Sequence, residues 1–395
     1  MKHSVLLLFA ALSVALCGCK KYETKITDKG FDNGPTDSLK MNEIQIIASH
    51  NSYHLKTDET VFNWLKSLDS LGVLPSSLDP DEIDYTHETY ENQFNLYNVR
   101  GLEIDIYNDP TGGQYYYQMG RFLAGGSADS HNPDLNLPGF KVIHLVDFDF
   151  NSHHTTFKQT LQTIYNWSVA HPNHLPLFIN VETNEETVAA ALPAANLTQS
   201  IPYDNSAADL IDEEIKSVFG NDLKKVITPD KIRGNFTTLR EAVLAGNWLT
   251  LAQARNKVVF IMQGAAESYY KAGHPSLQGR AMFVYANPNS DEAAFVILNS
   301  AKGSKTTIQQ RVQEGFIVRT RSDAGTTQAR NGDYSSMDAA FESGAQIIST
   351  DYYRPDARAG TTGWTDYKVQ FPNGELARIN PVSAAGKLDL GKIKE

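Results

Sequence analysis

The chain has 395 residues, 41% of them hydrophobic and 21% charged, with a formal net charge of -11. That length accommodates one large α/β barrel with insertions, and the composition is ordinary for a globular protein. The acidic balance and the lack of a long basic run argue against a nucleic-acid partner and against electrostatic capture by anionic lipid.

In chain order, Met1-Lys2-His3 is a short basic start, Val5 to Leu16 is an apolar run, and small residues follow. This is the layout of a secretory signal, too short for a spanning helix. Leu16-Cys17-Gly18-Cys19 resembles the lipobox of bacterial lipoproteins, which implies removal of residues 1–18 and lipid attachment to Cys19. The chain is therefore expected to be exported and anchored through Cys19 in the cell envelope, at a bacterial outer membrane or cell surface. Cys17 and Cys19 are the only cysteines, so the processed chain has no internal disulfide. Residues 19–41 are polar after Cys19, include Gly30, Gly34 and Pro35, and read as a flexible tether to a catalytic body over 42–395.

The body opens with Ile46-Ile47-Ala48, a buried-strand pattern that runs into Ser49-His50-Asn51-Ser52. A strand ending there sets an imidazole beside a neutral hard oxygen, the pieces of acid–base chemistry and cation binding. Asp58 to Leu71 has the apolar spacing of an amphipathic helix. In the next strand, residues 98–107, alternation puts Leu102, Ile104 and Ile106 on one face and Glu103 with Asp105 on the other. Two acids on one strand face repel each other, and a cation would offset that if the face is buried. Residues 139–146 read as a third strand carrying His144, followed by a helix from Thr155 that Pro172 ends. Leu175 to Thr183 reads as a fourth strand with Glu182 near its end. Four strands thus carry an ionisable residue near the C-terminal end, where a (β/α)₈ barrel gathers its active site.

Further on, short helices are expected at Leu239–Leu244 and Leu251–Arg255, and a buried strand at Lys257–Met262. Met282–Tyr285 and Ala294–Leu298 are strand candidates of which the barrel needs only one. A helix at Ile308–Glu314, a strand at Gly315–Arg321, a helix at Met337–Ser343 and a strand at Gly344–Asp351 complete the alternation. Arg100, set before its strand's C-terminal end, is expected to be structural, and His54, His153, His154, His171 and His174 are expected at the surface.

With these segments laid out, the chain resembles the calcium-dependent phosphatidylinositol-specific phospholipase C family. The resemblance is carried by IIASHNSYH at 46–54, RGLEIDIYNDP at 100–110, His144, Glu182, VRTRSDAGTTQAR at 318–330 and SGAQIISTDYY at 343–353. It spans about Asn42 to Tyr353 and implies an irregular, distorted TIM barrel of the PLC-like phosphodiesterase type. The implied reaction cleaves phosphatidylinositol, or a related inositol phospholipid, into diacylglycerol and an inositol phosphate at a membrane surface. By position, His50 and His144 match the catalytic histidines, and Asn51, Glu103, Asp105 and Glu182 match the Ca²⁺ ligands. One histidine would stabilise the phosphorane and the other, with His144 preferred, would protonate the leaving alkoxide. The fifth strand ends on neutral Met262-Gln263-Gly264 where the family often has a basic residue, so Arg319 is the expected phosphate clamp, with Tyr352 or Tyr353 against the sugar ring. The protein is expected to be monomeric. The rival readings are a glycerophosphodiester phosphodiesterase and a non-catalytic surface lipoprotein that binds inositol phosphates or glycans. Replacing Cys19 with Ala is expected to move the protein from membrane to aqueous fractions, because stable anchoring needs more than one lipid chain. A variant still fully membrane-bound would reveal another anchor.

Overall fold

The computed structural model describes residues 34–74, 78–190 and 195–395, so the expected signal sequence and Cys19 lie outside the described residues. The strands are β1 (Ile44–Ser49), β2 (Gly101–Tyr107), β3 (Lys141–Val142), β4 (Leu177–Thr183), β5 (Val258–Gly264), β6 (Phe283–Val284), β7 (Phe295–Ser300), β8 (Ile317–Arg321), β9 (Ile347–Thr350) and β10 (Arg378–Ile379). All but β3 and β10 pair in parallel, in the order β6-β5-β4-β2-β1-β9-β8-β7. A single parallel bridge, Tyr285 to Phe295, links the two ends of that order, so the sheet is a nearly closed barrel. Among the described residues no helix is long and apolar enough to cross a membrane.

Helices cover the outer faces of these strands, which is why the strands read as nearly unbroken apolar runs. Val258 to Met262 of β5, for instance, are all 0% exposed. The strands β1 and β2 approach unusually closely: a Cβ on Gly101 would lie 2.6 Å from that of Ala48, so only glycine fits there. Asp58 caps the first long helix, Glu59–Ser70, by accepting from the amides of Thr60 and Val61. Thr156 and Gln159 form a capping box on the helix Phe157–Ala170.

Three sequence expectations change. Residues 139–146 do not supply a barrel strand. Only Lys141 and Val142 are extended, antiparallel to Ile106 and Tyr107, on the edge of β2 that β1 meets at Gly101. Both β6 and β7 belong to the barrel. A helix absent from the sequence reading, Asn205–Phe219, buries Ala207, Ala208, Ile211, Ile215 and Phe219. Its face has the i, i+4, i+8 spacing of an amphipathic helix.

The packed body also begins earlier than the expected tether boundary, with Thr36, Asp37, Leu39 and Met41 all buried. Arg255, 1% exposed, is the anchor for this segment. It donates twice to Asp37 Oδ1, at 3.0 and 2.7 Å, and to the carbonyls of Asn173 at 3.0 Å and Lys394 at 2.7 Å. Arg100 is structural as expected, forking onto Glu395 at 2.8 and 2.5 Å. Removing one partner of a buried ion pair costs about 3–5 kcal/mol, so Arg255→Ala is expected to lower unfolding stability by that amount in urea titration. A loss under about 1 kcal/mol would show that solvent screens the pair.

Candidate active site

The site is assembled at the C-terminal mouth of the barrel, beginning where β1 ends. The turn after Ser49 is stitched on both sides: His50 N donates to Thr350 O, Ser52 N to Glu103 O, and Glu103 N to Ser52 Oγ, at 2.8–2.9 Å. Asn51 sits in the left-handed region with φ 42°, a conformation that Asn tolerates better than most residues. Its Nδ2 donates to Tyr85 Oη at 3.0 Å, which leaves the amide oxygen as the end available to a cation. His50 Nδ1 meets Asp351 Oδ1 at 2.7 Å, and its Nε2 meets an Arg321 guanidinium nitrogen at 3.1 Å. The second oxygen of Asp351 accepts from Arg321 at 2.8 Å, closing a ring of three side chains.

The next wall comes from β2 and β4. Their register pairs Asp105 with Glu182 and, one layer deeper, Glu103 with Asn180. Asp105 is 3% exposed, and its Oδ1 has no hydrogen-bond partner. Glu103 is fully engaged: Oε1 accepts from Asn180 at 2.8 Å, and Oε2 pairs with Arg319 while lying 4.0 Å from His50 Nε2.

His144 follows β3 on a tight loop. Leu145 and Asp149 exchange backbone hydrogen bonds at 3.0 and 2.9 Å around Asp147, which has φ 71°. The loop therefore folds back on itself and brings Asp149 Oδ2 to His144 Nδ1 at 2.7 Å. The same oxygen takes His54 Nε2 at 2.6 Å, and Thr57 donates to Oδ1 at 2.8 Å. These two histidines and Asp149 are close enough to form a small cation site, but each already satisfies another. His54 is fully buried and stacks on Tyr85 at 4.3 Å, so it is a scaffold residue rather than the surface one expected. His174 is buried too, on Ser168, while His153 and His154 are half-buried and His171 is exposed.

A cleft of about 330 Å³ opens over these groups and is lined by His50, Asn51, Asp105, His144, Glu182, Arg321 and Asp351, with acidic Asp79, Glu82 and Glu186. Five of the sequence-predicted site residues thus meet in one cavity. Glu103 lies just beneath its floor. Arg319 does not reach the cleft: it is 2% exposed and held by Glu103, Asn299 and Ser349 inside the barrel. Two residues further along β8, about 7 Å at the strand rise, Arg321 takes the position expected of Arg319. Tyr352 and Tyr353, at 2% and 1% exposure, are core residues, the latter stacked on His87 and accepting from Glu88 N, so neither is open to a sugar ring.

The family model of Ca²⁺-dependent phosphoinositide phospholipase C matches residues 39–381. The chain belongs to that family. Among solved structures its fold is similar to that of a calcium-dependent phosphoinositol-specific phospholipase C from the Gram-negative bacterium Pseudomonas sp. One crystal form gives TM-score 0.51 at 15% identity over 84% of this chain and 97% of that one. A second gives TM-score 0.51 at 14% identity over 84% and 96%. Comparison with curated proteins finds no match. The chain is accordingly a calcium-dependent phosphodiesterase of inositol phospholipids, with Ca²⁺ as cofactor.

The phospholipase's own residues fit that cation. Burial, then the charges of Glu182 and Glu103, raise the Asp105 pKa well above the usual carboxylate range. Burial and Glu103 raise that of Glu182. Carboxylates so hard to ionise together, with one buried oxygen unpartnered, form a hard oxygen-only set suited to Ca²⁺.

The two histidines sit in opposite electrostatic settings. Burial, with Arg321 beside it, lowers the His50 pKa against the pull of Asp351 and Glu103. Burial would also lower that of His144, but the hydrogen bond and charge of Asp149, with Glu182 and Asp351, raise it overall.

Sequence reading missed Asp149, Arg321, Asp351 and Tyr85 as members of the site. Arg321 and Asp351 lay inside quoted motifs, at the strand ends where chemistry collects. Asp149 carried no local signal, because a hairpin returns it to His144.

A histidine with a raised pKa stays protonated, and so able to donate, to higher pH. The alkaline limb of the rate profile is therefore expected above 6.5, the ordinary histidine value. Asp149→Asn removes the charge that opposes desolvation, so this limb should move to lower pH and the rate at pH 7.5 should fall about 10²-fold or more. An unmoved limb would show that the proton setting it is not the one on His144.

Proposed function

We propose that the substrate is phosphatidylinositol, that His50 is the general base and His144 the general acid, and that Asn51, Asp105 and Glu182 hold Ca²⁺ with Glu103 beneath them. The observation that carries the assignment of roles is the Arg321 contact. A guanidinium can only donate, so Nε2 of His50 is the unprotonated nitrogen and Nδ1–H faces Asp351. That tautomer suits a base whose lone pair points into the cleft.

In this reading the inositol 2-hydroxyl gives its proton to His50 Nε2 as its oxygen attacks phosphorus. The bond to the diacylglycerol oxygen breaks, and His144 protonates that oxygen. Asp351 stabilises the imidazolium formed on His50, and Asp149 holds His144 by its Nδ1 so that Nε2 is the donating end. When bound, Ca²⁺ supplies positive charge against the phosphate and favours ionisation of the attacking hydroxyl. The shape of the lipobox supports an envelope enzyme tethered through Cys19, and the net charge of -11 argues against a nucleic-acid partner.

Phosphorus NMR of phosphatidylinositol vesicles tests the proposal. Cleavage is expected with Ca²⁺, none in excess EDTA, and better recovery with Ca²⁺ than with Mg²⁺, which holds its waters in a strict octahedron. Asp105→Asn removes one of two repelling charges at nearly constant volume, so Ca²⁺ binding should weaken while the melting temperature holds or rises. Turnover of glycerophosphocholine without phosphatidylinositol would favour the rival phosphodiesterase. Full activity in EDTA, with no metal by elemental analysis, would overturn the ligand set.

A further inference from the structure

We propose that Arg321 is a substrate-operated cap on the catalytic base: its guanidinium covers His50 Nε2 in the empty site and transfers to a phosphate oxygen when substrate binds. This inference rests on the phospholipase reading above and adds a residue that touches substrate.

The cap follows from counting lone pairs. A neutral imidazole has one acceptor nitrogen, and Arg321 lies on it at 3.1 Å. While it stays there, the substrate hydroxyl has no place to deliver its proton. The base as it stands is therefore masked, and the mask must lift during turnover.

What lifts it is written in the cleft wall. Among the described residues that line the cavity, Arg321 is the only lysine or arginine, and six carboxylates surround it, those of Asp79, Glu82, Asp105, Glu182, Glu186 and Asp351. A phosphodiester that enters meets no other guanidinium or ammonium. Arg319, the sequence-level choice, is tied to Glu103 within the barrel.

The movement is small. Arg321 is held by three contacts: Nε to the Asp323 carbonyl at 2.9 Å, one terminal nitrogen to Asp351 at 2.8 Å, and the other to His50. The guanidinium is rigid and planar, so giving up the last shifts the other two with it. The side chain is 18% exposed toward the cleft, so rotation about its terminal bonds needs no loop to open. A guanidinium is more weakly hydrated than an ammonium, and its planar fork matches two phosphate oxygens, so the exchange of a neutral nitrogen for an anionic oxygen is favourable. The outcome is selective: a ligand with hydroxyls alone leaves the cap in place, whereas one with a phosphate removes it.

The test uses the full chain with Ca²⁺ and two probes, myo-inositol and myo-inositol 1-phosphate. Arg321→Gln and Arg321→Lys are compared with the wild type after their melting temperatures are shown to match. Arg321→Gln should lose about 10–100-fold in affinity for inositol 1-phosphate, as expected for one charged hydrogen bond. Its affinity for myo-inositol should be unchanged, and kcat should fall about 10²–10³-fold. Arg321→Lys should lie between the two. In ¹⁵N spectra of the histidines, inositol 1-phosphate should shift the His50 Nε2 signal of the wild type, myo-inositol should not, and Arg321→Gln should show the shifted position without any ligand. Equal losses for both probes would make Arg321 a merely structural support for Asp351 and overturn the cap. So would a His50 signal indifferent to inositol 1-phosphate. A wild type that binds inositol 1-phosphate with the expected shift but leaves phosphatidylinositol intact would sink the phospholipase reading and not the cap.

Discussion

Asp105 and Glu182 face each other across two hydrogen-bonded strands at the dry mouth of the barrel, with Glu103 one layer below. Burial works against the charged forms of Asp105 and Glu182, while Glu103 is paired with Arg319 and Asn180. One Asp105 oxygen is buried without a hydrogen-bond partner. The calcium site proposed above would offset the repulsion among these acids from outside with a hard cation. Arg319 offsets the deepest of the three charges and is consumed in doing so, which leaves Arg321 to stand at the mouth.

Around the acids the two histidines are held by different means. His50 hangs on the barrel: its strand, its backbone bond to Thr350 and its partner Asp351 belong to β1 and the end of β9. His144 hangs on a loop outside the barrel ladder, and its carboxylate returns to it through a five-residue hairpin. His54 links the halves, since it grips Asp149 and stacks on Tyr85, which in turn receives the Asn51 amide. His144, His50 and Asn51 thereby share one hydrogen-bonded and stacked scaffold, a layout that keeps geometry tight without any part of it being a regular strand.

The price of that arrangement shows in the backbone. Asn51 and Asp147 both carry positive φ, and each sits where the chain must turn back sharply on a functional group. Their side chains earn the conformation locally: Asn51 is tied to Tyr85, and Asp147 accepts from Met119 N, Thr198 N and the Thr198 hydroxyl. These turns, rather than the strands, are where substitution would displace the chemistry.

The amino-acid sequence by itself determined the alternation of strands and helices, the facing of Glu103 with Asp105, and the family. Periodicity is a local property, and the motifs keep their order along the chain. It also located His50, Asn51, Asp105, His144 and Glu182, because each ends or follows an apolar run. Tertiary structure alone decided which arginine is free. Arg319 and Arg321 share a strand face, and only the depth of the barrel tells the one that meets Glu103 from the one that meets the cleft. It decided likewise that His54 is buried, that Asp149 serves His144, and that Tyr352 and Tyr353 are core. Those outcomes turn on which side chains distant in sequence compete for the same partner, and a linear pattern carries no record of that competition.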